Sequence, residues 1–322
     1  MTPPEPPAAP QARPPHPAGP AGPAATGTPA DGSRIHDIGF RHFDGVRHGR
    51  ASIRKALYTQ SLRGAYGLGR SGKSKVLPAL LFAVMAAPAL IIDAVAIFTH
   101  MTKLPLEYPR YAVDLQVVIG LFLAAQAPQS VSRDLRFKTI PLYFSRPMER
   151  VDYVLAKFGA MASALFVLTA VPLVVLYVGA LLAKLDFWAQ TAGFGKGLAS
   201  AALLSLLFGG IGLVLAALTP RRGFGVAAVI AVLTISYGAV SSVQGIADSQ
   251  GDHALIGWLG LFSPITLIDG VQTWWLGSSS AFVGGYGPSG ALAGVVYLLV
   301  ALAVIAGSFG LLMRRYRKVG LG

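Results

Sequence analysis

The sequence predicts an all-α, polytopic membrane protein with six transmembrane helices and an outer re-entrant helix pair before the last one. Three observations carry this reading. Hydrophobic residues make up 53% of the 322-residue chain and charged residues only 13%, about half the charged share of a soluble domain. Six windows of roughly twenty apolar residues lie between residues 77 and 313, each long enough to cross a hydrocarbon core about 30 Å thick. Lys and Arg crowd into alternate loops, the bias that membranes impose on inner segments.

Composition also excludes function classes. So oily a chain is neither disordered throughout nor a soluble enzyme. The net charge of +13 would suit nucleic acid, but retention of Lys and Arg on the inner side explains it, and no nucleic-acid partner is expected. The absence of cysteine removes disulfides, thiolate metal sites and Cys nucleophiles.

Taken in order, residues 1–32 read as a disordered Pro/Ala-rich cytoplasmic tail. Residues 1–30 hold eleven prolines and eight alanines without the apolar run of a signal peptide. Residues 33–76 form a basic cytoplasmic segment with ten Lys or Arg. Its His36, His42 and His48 lie six residues apart, a spacing that suits neither one helix face nor a metal-chelating turn. Within it Ser52 to Tyr66 has helical composition without a clean apolar face, which predicts a membrane-proximal surface helix.

Residues 77–318 form the membrane domain. Its apolar spans are Leu77 to Phe98, Tyr111 to Val131, Val154 to Leu182, Leu198 to Leu218, Phe224 to Ile246 and Ala291 to Met313. Pro78, Pro88, Pro128 and Pro172 fall inside them, as membrane helices tolerate. Segments 33–76, 132–152, 221–222 and 314–318 hold 21 Lys or Arg, against four in 99–110, 184–197 and 247–290. Both termini are therefore expected in the cytoplasm, which requires an even number of crossings. A seventh helix over Ala254 to Leu276 would put Arg314, Arg315, Arg317 and Lys318 outside. Ser263-Pro264 breaks that run and Asp269 adds a charge. Two short helices dipping into the outer leaflet are expected there, with Pro264 and Asp269 marking the outer segment and Trp258, Trp274 and Trp275 near the interface.

Gly67, four residues, then Gly72-Lys73-Ser74 fits the P-loop pattern. That loop works when a strand delivers it and a following helix aims its N-terminus at phosphate. Here a basic, helix-like segment precedes it and Val76-Leu77-Pro78 enters the bilayer, so a basic hinge is expected rather than a nucleotide site. Asp93, Asp114 and Lys157 are ionisable residues inside spans; their places near span ends predict interface residues, with Lys157 snorkelling. Gln116, Gln126 and Gln129 make the second span polar toward a neighbouring helix or an aqueous path. No His/Asp/Glu cluster suggests a metal site, and no Ser/His/Asp set suggests hydrolysis.

The remaining candidate is the loop after the second span. Arg133, Asp134, Arg136 and Lys138 form a charged turn, followed by the apolar Ile140, Leu142, Tyr143 and Phe144. The pattern predicts a short amphipathic helix at the membrane surface. Arg221 and Arg222 form the second inner loop.

In this loop an acidic residue, an aromatic or leucine step, Ser145, Pro147, Arg150 and then Lys157 follow one another into a membrane helix. The order resembles the type-two permeases, the membrane subunits of ATP-binding-cassette (ABC) transporters. The resemblance covers about residues 76–318. The family's usual Glu and Gly-Thr step are replaced by Asp134 and Lys138-Thr139, and Pro141 is additional. An excess of Arg over Lys, 18 to 9, resembles products of high-GC bacterial genomes of the actinobacterial type. The resemblance implies a cytoplasmic coupling helix around Arg133 to Phe144. Arg133, Asp134, Arg136, Phe137, Lys138 and Arg150 are then the ATPase-coupling residues, with Arg221 and Arg222 as the next docking candidate. It further implies an exporter in the bacterial inner membrane, a homodimer or a heterodimer with a paralogue, and a separate cytoplasmic ABC ATPase. ATP and Mg would be held by that partner, and no cofactor by this chain. The residues alone also leave open a stand-alone ion- or proton-coupled carrier or channel, and a membrane scaffold that binds anionic lipid.

Overall fold

The computed structural model describes residues 45, 49–69, 71–137, 143, 148–219 and 221–319. The predicted tail, residues 1–32, lies outside them. Helix α1 spans Arg50–Ala65, two residues earlier than its composition suggests. It is rich in straight-chain helix formers but has no apolar stripe. Polar side chains instead fix it along α5, Arg150–Leu182. The Tyr58 hydroxyl donates to Ser163 Oγ at 2.8 Å and that of Tyr66 to the Ala164 carbonyl at 2.6 Å.

The other long helices are α2, Lys73–Phe98, α4, Gln116–Arg136, α6, Phe187–Leu218, α7, Arg222–Ser249, and α10, Gly290–Val319. Among the described residues five helices, α2, α5, α6, α7 and α10, are each long and apolar enough to cross a membrane. The sixth crossing requires counting α4 together with α3, Tyr108–Asp114. These two meet at 60°, which corrects the expectation of one continuous span from Tyr111 to Val131. The break falls at Leu115, where φ −98° and ψ 20° leave the helical well and Asp114 and Gln116 flank the bend.

At 1.5 Å per residue the 33 residues of α5 extend about 50 Å, well beyond a core of about 30 Å. It therefore crosses at a tilt or extends beyond the hydrocarbon. Half or more of the apolar stretches of α5 and α6 is buried, against less than a third in α2, α7 and α10. The first two are the centre of the bundle, and the others turn most of their surface to lipid or to another chain. Small residues allow the close packing, as membrane helices require. A Cβ on Gly212 of α6 would lie 2.5 Å from Leu123 of α4.

The predicted break at Ser263-Pro264 is present. Helix α8, His253–Leu259, passes into a 3-10 turn over Gly260–Phe262, and α9, Pro264–Leu276, starts afresh with proline in its first turn. Gly277, at φ 64°, ends α9 in the left-handed conformation that glycine adopts without penalty.

Candidate functional site

The arginine-rich end of the bundle gathers the end of α4 and the start of α5. Asp134, placed by its sequence among exposed docking charges, turns inward instead. Its Oδ2 lies 3.0 Å from Lys157 Nζ and accepts the Tyr153 hydroxyl at 2.7 Å. Lys157 is 8% exposed and also donates to the Ser130 carbonyl at 2.8 Å. It does not snorkel; it joins two helices. The buried Tyr153 ring packs against Tyr316 of α10 at 4.9 Å between centroids, so the same knot reaches a third helix.

One turn earlier, Glu149 and Asp152 cap the start of α5 with reciprocal bonds to its backbone. The buried Asp152 also binds Arg50 Nε at 2.5 Å and Arg54 at 3.4 Å, while Glu149 pairs with Arg50. The Arg50 guanidinium pKa is raised, chiefly by its bond to Asp152 and then by Glu149. Helix α1 is thereby fastened to the segment that leads into α5. The Glu149-x-x-Asp152 spacing before an apolar run was the available sequence signal for this.

The other coupling candidates divide. Arg133 through Arg136 belong to the last turn of α4, so a separate helix there begins later than Arg133. The Arg133 side chain, Lys138, Phe144, Ser145 and Pro147 lie outside the described residues. Arg136 and Phe137 are exposed at the tip, 5.8 Å apart from guanidinium carbon to ring centroid. Arg150 opens α5, and Arg221 and Arg222 are exposed at the start of α7. Gln126 and Gln129 line two neighbouring cavities beside this end.

At the opposite end α3, α9 and the loop after α9 are tied by carboxylates. Asp269 accepts Gln272 Nε2 at 2.8 Å, the Ala281 amide at 2.8 Å and Ser280 Oγ at 3.2 Å. Gln272 in turn accepts Ser200 Oγ of α6 at 2.9 Å. Glu107, which sequence reasoning passed over, accepts Ser278 Oγ and the Ser279 amide, each at 2.7 Å. Burial alone would raise its pKa, but these bonds and the Arg110 charge outweigh it and hold the carboxyl below its ordinary value. A depressed carboxylate stabilises the fold above its unfolded pKa and loses that contribution as pH falls through the folded one. The Ser279 amide should therefore lose hydrogen-exchange protection on acidification below about pH 4. Glu107→Gln should lose about 1 kcal/mol of that protection already at neutral pH, a modest value because the group is exposed. Equal protection in both proteins at neutral pH contradicts the assignment.

Two predicted interface acids also differ. Asp114 is exposed and pairs with Arg110 at 3.3 Å. Asp93 is 7% exposed and packs on Gly179 of α5, where a Cβ would sit 1.9 Å from its carboxyl carbon. Its carboxyl is therefore buried against α5 rather than open to solvent. The Gly67–Ser74 segment follows helix α1 rather than a strand.

The chain matches none of the curated proteins compared with it. A family model described as ABC-2 family transporter protein matches residues 52–318, an interval that holds the bent span, the buried Asp134–Lys157 pair and the broken α8–α9 segment. The chain belongs to this family of ABC transporter membrane proteins.

Proposed function

We propose that the chain is the permease subunit of an ATP-driven exporter in a bacterial inner membrane. It works as a dimer, has both termini in the cytoplasm and is driven by a separate cytoplasmic ABC ATPase that holds the ATP and Mg. The observation that carries the docking role is the tip of α4. Phe137 is 64% exposed beside Arg136, and an aromatic next to an Arg is what anchors protein interfaces. The buried pair behind this tip makes α4 and α5 move as one body, so force applied at Phe137 would tilt both helices. The 21 to four asymmetry of Lys and Arg between alternate segments supports the orientation. A helix in place of a strand before Gly67 supports placing the nucleotide on the partner.

The test is co-purification of Mg-dependent ATP turnover with the tagged full chain. Arg136→Glu combined with Phe137→Ala should reduce it at least about tenfold at unchanged expression, because a desolvated interface charge is worth about 2–5 kcal/mol. ATP turnover by the chain alone, abolished in Lys73→Ala, would overturn the reading. A gradient-driven carrier is the second reading, favoured by Asp93, whose Oδ1 is buried with no hydrogen-bond partner among the described residues. Transport driven by a proton gradient without any ATPase, and lost in Asp93→Asn, would select it.

A further inference from the structure

We propose that the groove formed by the ends of α2, α4 and α7 binds a phosphate group, supplied by the headgroup of an anionic lipid. The groove encloses about 520 Å³ and receives one cation from each helix: Lys73 opens α2, Arg136 closes α4 and Arg222 opens α7. No acid lines it. Among the described residues none of the three cations is paired with a carboxylate. Three like charges around one cavity repel one another unless an anion sits between them. Gln126 and Gln129 supply neutral polar groups on the α4 wall.

The P-loop-like string thereby acquires a different role. Ser74 Oγ donates to the Ser71 carbonyl at 2.8 Å and to the Gly67 carbonyl at 3.2 Å. Gly67 sits at φ 68°, and a Cβ there would lie 2.4 Å from the Ser74 carbonyl oxygen. The turn closes on itself, and its product is a fixed position for Lys73 at the groove. Leu77, 44% exposed, and Phe137 share the wall with the cations. Helices α2 and α7, which flank the groove, turn most of their apolar surface outward. Cations at the end of outward-facing apolar helices match a phosphate that carries acyl chains better than a soluble one.

The experiment uses the full chain purified in neutral detergent without any ATPase, so its outcome is independent of the docking reading. Native mass spectrometry counts bound phosphatidylglycerol, with phosphatidylcholine as the uncharged-headgroup control; inorganic phosphate and ATP are tested as soluble sources. Lys73→Gln with Arg222→Gln should weaken phosphatidylglycerol retention about twenty-five-fold, at roughly fivefold per cation. Lys55→Gln with Arg63→Gln, an equal charge change on α1 outside the groove, should leave it within about twofold. Lys73→Arg should preserve binding, which separates lost charge from lost fold. Binding of inorganic phosphate or ATP that is abolished by the groove variant supports the phosphate site and overturns its assignment to lipid. Undiminished phosphatidylglycerol retention in the groove variant, or equal loss in the α1 control, overturns the site itself.

Discussion

Asp134→Ala is expected to destabilise the chain by about 2–3 kcal/mol, below the full cost of removing one partner from a buried ion pair because Asp134 is only partly buried. The side chains of Lys157 and Asp134 are 10% and 17% exposed, so little solvent reaches the ammonium group to replace the lost carboxylate. Among the described residues the Ser130 carbonyl is the acceptor it keeps. The double variant Asp134→Ala with Lys157→Met removes both charges and fills the Lys157 site with apolar volume. It should recover at least about half of the loss, because a pair of hydrophobic side chains often replaces a buried pair at no cost. Thermal unfolding of the detergent-solubilised chain measures Asp134→Ala, Lys157→Met and the double variant in one cycle. A single variant that melts like wild type would remove the pair from the account of how α4 and α5 are joined. So would a double variant worse than the sum of its parts.

This result changes how charge reversal at the same position is interpreted. Read from the sequence, Asp134→Arg should uncouple a docking loop while leaving the membrane fold intact. With the carboxylate bonded to Lys157 and Tyr153, Asp134→Arg places a second cation beside a buried one and disturbs the fold first. Arg136 and Phe137, exposed at the tip, are the positions where docking can be tested without that confusion.

Helix identity was legible because hydropathy is a local property, summed over a window without knowledge of neighbours. Helix ends were less so. Helix α6 starts at Phe187, eleven residues before the apolar run at Leu198, because Asp186 caps it by accepting the Ala189 amide at 2.7 Å. Helix α2 likewise starts at Lys73 rather than Leu77, since backbone bonding continues past the edge of the oil. Ser263-Pro264 declared its break through proline chemistry; the 60° bend at Leu115 contains neither Pro nor Gly and gave no such sign. The site divides in the same way. The charges of Asp134 and Lys157 stand out in the sequence, but they are 23 positions apart on different helices. Only packing shows that they meet.

At the opposite end, Asp269→Ala is expected to cost about 3 kcal/mol, since bonds to an ionised acceptor are each worth about 1.5–3 kcal/mol and those sharing one carboxylate do not add fully. Asp269 is 1% exposed, and its loss strands the Ala281 amide and the Gln272 side-chain amide that it accepts. Gln272 also holds Ser200 on α6, so the disturbance spreads from the loop after α9 into the centre of the bundle. Asp269→Asn keeps the shape and an acceptor oxygen but loses the charge, and should cost about half as much. Hydrogen exchange at Ala281 reads the local loss directly. Among the described residues the bonds seen at Asp134 and those at Asp269 involve different partners, so co-purification with an ATPase should be unchanged in Asp269→Ala while protection at Ala281 falls. The reverse pattern, intact protection with lost assembly, would contradict the separation of a docking end from an outer end that the proposed function requires.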